Sequence, residues 1–168
     1  MNITKTITLT IAGILMIAML LSIIQLLLRK LKTDAETDFK WKSSYGIWFT
    51  GLFAAATIII SRTIVFLSEA IDNIIKIGSP HQFLEITQIS SLYIGLSIAW
   101  YLLWYYIAKV FAVIVMGRKN ELEEMGLNNV HYFLIRATIF IGIIFSFSFI
   151  LDLLFRFFMP NIPVPFYH

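Results

Sequence analysis

The chain has 168 residues, 59% of them hydrophobic and 14% charged, with a mean hydropathy of +0.83. Soluble domains carry roughly 45–50% apolar and about 25% charged residues, so this balance excludes a wholly water-exposed surface and makes the bilayer part of the solvent. The net charge of +3 does not point to nucleic acid, because the basic residues flank apolar runs; the lack of cysteine excludes a lipoprotein anchor, disulfides, thiolate chemistry and Cys-ligated metals.

The first apolar run, Ile7–Leu28, holds 22 residues without a charge and is closed by Arg29 and Lys30. As a helix it reaches about 33 Å, enough to cross a hydrocarbon core of about 30 Å. A cleaved signal peptide has a shorter apolar region followed by small residues, so the run reads as a retained span. The second span begins at Ser43–Ser44, is uncharged to Ser61 and continues past Arg62 to Ser68. The third runs from Thr87 to Ala108 and on to Met116, and the fourth from His131 to about Phe157. Backbone groups in lipid need internal partners, and no stretch alternates with a period of two, so all four read as helices rather than barrel strands. The expected fold is one all-α transmembrane domain over residues 1–168, a four-helix bundle with spans at about 7–28, 44–68, 87–116 and 131–157.

Basic residues set the expected orientation. Arg29, Lys30, Lys32, Lys40, Lys42, Lys109, Arg118, Lys119 and Arg136 fall at one side; Lys5, Arg62, Lys76 and Arg156 fall at the other. Nine against four places the first side in the cytoplasm and both termini outside. Arg62 lies 17 residues after Tyr45 and Lys109 lies 21 after Gln88, so each is positioned to snorkel to an interface.

A shift of 85 residues lays Ser43–Ser61 over Asn128–Ser146, and the first span over the third. Such a pattern would be a parallel repeat of two helical hairpins. The turn KNELEEMGLNN (Lys119–Asn129) before the fourth span and the turn ending WKSS (Trp41–Ser44) before the second carry a family resemblance. With these turns, the layout resembles the YjfL-like bacterial family, small inner-membrane proteins of unknown function built from two tandem two-helix units. The resemblance covers nearly the whole chain and implies the architecture and a cell inner (plasma) membrane location, without catalytic residues. Composition departs from the family pattern: its second and fourth helices are rich in Ala and Gly, whereas Ile and Phe dominate here.

Three features are candidates for function. Small residues recur every fourth position: Gly46, Thr50 and Ala54; Thr87, Ser91, Gly95 and Ala99; Thr138, Gly142 and Ser146. That spacing keeps each set on one helix face, for packing inside the bundle or for contact between protomers. Trp100, Tyr101, Trp104, Tyr105 and Tyr106 form an aromatic cluster, read as an interfacial belt or as a contact for a lipid, quinone or sterol-like ligand in which Trp100, Trp104 and Tyr105 are joined by Lys109. Arg62, Glu69, Asp72, Asp152 and Arg156 form a charge set on the outer side; Asp152 and Arg156 share one face, as do Arg62 and Glu69. These charges read as interfacial pairs or as an ion pathway.

His81, His131 and His168 are too scattered for haem or zinc, and the sequence contains no Ser-His-Asp set, HExxH or phosphate loop, so no cofactor, metal or catalytic residue is expected. The segment Glu69–Ile89 is expected to extend the second span, turn at Gly78-Ser79-Pro80 and lie against the outer interface. Pro160, Pro163 and Pro165 end the last helix in an extended tail. Short loops and small-residue faces make a structural or accessory subunit, binding itself or other membrane proteins, the leading expectation. The alternatives are an oligomeric channel or transporter, and a sensor whose charged loop 29–42 meets a cytosolic partner; an enzyme acting on lipids ranks fourth.

Overall fold

A computed structural model describes residues 3–37, 40–78 and 80–160. The tail 161–168, with Pro163, Pro165 and His168, lies outside the described residues, as do the side chains of 33–41. The helices are α1 (Ile3–Ala35), α2 (Ser43–Ile77), α3 (Gln82–Met116), α4 (Glu121–Gly126) and α5 (Val130–Phe157). Between α1 and α2, β1 (Glu36–Thr37) pairs antiparallel with β2 (Lys40–Trp41), a two-residue ladder. The all-α expectation holds: α1, α2, α3 and α5 are each long and apolar enough to cross a membrane, and the chain is a multi-pass helical bundle of two successive hairpins.

The spans run past the hydrocarbon-sized windows read from the sequence. At about 1.5 Å per residue, the 35 residues of α2 and of α3 each give about 52 Å, so these helices tilt or protrude beyond the core. The stretch after Ile77 corrects one expectation. Gly78 takes a left-handed φ of 71° and donates its N–H to the Ile74 carbonyl, closing α2, and α3 starts at Gln82. The residues expected to lie along the interface are instead the first turns of α3. A side chain disfavours the φ that Gly78 adopts, which is why the helix ends there.

Packing centres on α2, which contacts α1, α3 and α5. One stripe of α1, Ala12, Met16, Leu20, Ile24, Leu28 and Leu31, is buried at the three-to-four-residue spacing of a single helix face, Leu9, Ile23 and Leu27 flank it half-buried, and residues such as Ile11, Ile14, Leu15 and Leu26 remain exposed. Trp48, Leu52, Tyr101, Phe140, Ile144 and Phe155 fill the axis between α2, α3 and α5. Several hydroxyls inside the bundle are paired across helices. Tyr101 Oη donates to the Leu52 carbonyl at 3.1 Å, Tyr93 Oη to the Phe155 carbonyl at 2.8 Å, and the Thr63 and Ser97 hydroxyls meet at 2.7 Å. Such bonds fix the rotation of one helix against the next, because a buried hydroxyl without a partner is costly.

Candidate functional site

The loop between α3 and α5 folds into the short helix α4, and its geometry is set by three asparagines. Asn120 Oδ1 accepts the Leu122 N–H at 3.1 Å and caps α4; Asn129 Oδ1 accepts the Tyr132 N–H at 3.2 Å and caps α5. Between them Asn128 has a φ of 52°, the left-handed turn that joins the two helices, and its Oδ1 accepts the Ser44 N–H at 3.0 Å. The turn therefore binds the start of α2. Lys42 Nζ donates to the Gly126 carbonyl at 2.9 Å, and Met125 is wholly buried with Sδ 3.1 Å from Ser44 Oγ.

Docked in this way, α4 presents Glu121 to two cations. Arg136 Nη1 lies 2.8 Å from Glu121 Oε2, and Lys109 Nζ lies 2.9 Å from Oε1. Arg136 is 2% exposed, and its guanidinium stands 4.5 Å over the Trp48 ring. One carboxylate thus ties α3, α4 and α5 together, and the aromatic face of α2 takes the other side of the guanidinium. Burial works to raise the Glu121 pKa, but the hydrogen bond and charge of Arg136, then those of Lys109, prevail and hold it below the usual carboxylate range. Glu124, half-buried on the same helix, is also held low, by the Asn129 amide first and Lys119 second. Chemically the cluster is a clamp: its carboxylate is ionised and shared, and its guanidinium is packed against rings.

This clamp was only partly legible in the sequence. The charge pattern of the sequence places Lys109 and Arg136 at the border of the apolar spans and assigns Glu121 no partner. A signal was present, since Arg136 is the only Asp, Glu, Lys or Arg between Val130 and Leu151, and a lone charge in an apolar span calls for a partner. Which loop carboxylate supplies the partner depends on how α4 docks.

The aromatic cluster is arranged differently from an interfacial belt. Trp100, Tyr101 and Tyr105 are buried, Trp104 is half-buried and stacks on Phe147 with ring centres 4.2 Å apart, and only Tyr106 is turned outward, 60% exposed. Lys109 is paired with Glu121 of α4. Most of these rings are bundle core, because α3 packs on both α2 and α5 and so buries a wide arc.

The charge set of Arg62, Glu69, Asp72, Asp152 and Arg156 separates into independent contacts. Asp152 pairs with Arg62 across α2 and α5 at 3.4 Å, in place of the expected pair with Arg156, whose guanidinium lies 5.6 Å from the Phe66 ring centre. Asp72 takes Lys5 of α1, and among the described residues no ion pair joins Arg62 to Glu69. Side chains on neighbouring helices approach more closely here than those one turn apart on the same helix.

The small-residue faces also correct an expectation. Thr87, Ser91, Gly95 and Ala99 on α3, and Thr138, Gly142 and Ser146 on α5, are exposed, and open space surrounds Gly95 and Gly142. They do not pack the four helices together. That role falls to Gly51 and Ala137, where α2 and α5 cross, and to Ala55, Ala56 and Ser97. Helix-face spacing identifies a face but not the direction in which it points.

Among the described residues no cluster of His, Asp or Glu is arranged to hold a metal ion. Fold and site together define a multi-pass helical membrane protein with an internal ionic clamp at its basic end. The chain matches no family model, no curated protein and no solved structure.

Proposed function

We propose that the protein is a structural or accessory subunit that assembles within a cell inner (plasma) membrane with itself or with a larger membrane complex. In this reading the basic end faces the cytoplasm and both termini lie outside. The observation that carries it is the outward-facing Thr87–Ser91–Gly95–Ala99 stripe of α3, together with the Thr138–Gly142–Ser146 stripe of α5. In lipid, helices associate through close van der Waals approach, and small residues on an open face permit it. The filled axis between α2, α3 and α5 favours this role over a channel through a single protomer.

Native mass spectrometry of the protein released from nanodiscs tests the proposal. The expected result is an oligomer or a defined complex whose population falls several-fold in Gly95→Leu or Gly142→Leu. A wild-type protein that is strictly monomeric and without partners would refute it.

A further inference from the structure

An open groove of about 910 Å³ lies between the end of α1 and the start of α2. Its walls are chemically divided. Leu26 and Phe49 offer apolar surface, while Arg29, Lys32, Gln25 and Ser22 offer polar or cationic groups. Arg29 and Lys32 are three residues apart on one face of α1, both exposed, and among the described residues no carboxylate pairs with Arg29. Helix α2 begins beside them at Ser43, where Lys42 makes no side-chain capping bond and Asn128 takes the Ser44 N–H, and the positive end of its dipole adds to the same field.

We propose that this groove binds one anionic phospholipid, with its phosphate on Arg29 and Lys32 and an acyl chain along Leu26 and Phe49. Two observations select that occupant over a peptide or a second copy. The groove sits where a span ends in basic residues, the depth of lipid headgroups, and its charge complements an anion while its floor complements a hydrocarbon chain. The guanidinium gives the phosphate oxygens a planar pair of donors, and the ammonium a second positive charge. This site is independent of the small-residue stripes on α3 and α5.

The test compares lipid retained by the full chain after release from nanodiscs of phosphatidylglycerol or of phosphatidylethanolamine, read by native mass spectrometry. Wild type is expected to keep one phosphatidylglycerol per chain, at least tenfold over phosphatidylethanolamine. Combined Arg29→Gln and Lys32→Gln brings the two lipids level, and Lys76→Gln, at the far end, changes nothing. Ser22→Trp fills the groove with every charge kept and abolishes retention. Equal retention of both lipids by wild type, an equal loss in Lys76→Gln, full retention in Ser22→Trp, or a lipid-free dimer whose contact Ser22→Trp removes would each overturn the proposal. Lipid retention is counted per chain, so it is read independently of the assembly state tested above.

Discussion

The backbone of Gly51 on α2 passes so close to Ala137 on α5 that a methyl group placed on Gly51 would stand 2.4 Å from the Ala137 Cβ and 3.1 Å from its Cα. The obstacle includes main chain, which cannot swing aside as a flexible side chain does. Gly51→Ala is therefore expected to destabilise the bundle by about 1–3 kcal/mol, the usual range for an overpacked core. Adding Ala137→Gly should recover part of that loss. Thermal unfolding in one detergent, followed for the three variants, checks both statements.

Arg136 and Glu121 pose a second test. Glu121→Gln leaves a guanidinium that is 2% exposed without its carboxylate. Removing one partner from a buried pair costs about 3–5 kcal/mol, and because the Glu121 side chain is 23% exposed the loss should fall at or below the low end of that range. Arg136→Met in the Glu121→Gln background is expected to restore most of the stability, since no buried charge remains. A double-mutant cycle by chemical unfolding reads the coupling.

The same carboxylate makes the α4 dock pH-dependent. Its folded-state pKa is depressed from the ordinary 4.5, so it binds fewer protons folded than unfolded. The stabilisation is then complete above the ordinary value and is lost as pH falls through the depressed one. Hydrogen exchange of α4 amides should rise in that acid window, with a smaller rise in Glu121→Gln, where only Glu124 still titrates from a lowered value. A flat profile in wild type would contradict the clamp.

Asn128 combines a left-handed φ of 52° with a hydrogen bond to the first turn of α2. Asn128→Gly keeps the turn and loses the bond; Asn128→Ala loses the bond and adds strain. The expected order of stability is wild type, then Gly, then Ala, with about 1 kcal/mol for the strain step. Unfolding midpoints of the three proteins test the order.

Gly95 behaves in the opposite way from Gly51, because no atom within 4 Å would meet a Cβ there. Gly95→Ala should change the stability of the monomer by about 1 kcal/mol or less, in the stabilising direction of helix propensity. Thermal melts of the monomer in detergent settle this separately from assembly.

The sequence by itself determined how many helices are long and apolar enough to cross a membrane, but neither the short helix α4 nor the β1–β2 ladder. Runs such as Ile7–Leu28 and Ala137–Leu151 are too long and too free of charge to end in water, so four membrane-length helices follow from hydropathy and the backbone's need for internal hydrogen bonds. It also located the faces, since Gly95 and Ser91 share one at any rotation of α3. Only the tertiary structure decided where those faces point, which carboxylate meets Arg136, and that the crossing of α2 and α5 rests on Gly51 and Ala137. The physical reason is that hydropathy is nearly uniform around these helices, so their rotation is fixed by packing and by a few buried polar contacts, such as Tyr101 to Leu52 and Asn128 to Ser44. These join residues 49 and 84 positions apart, beyond the reach of local spacing.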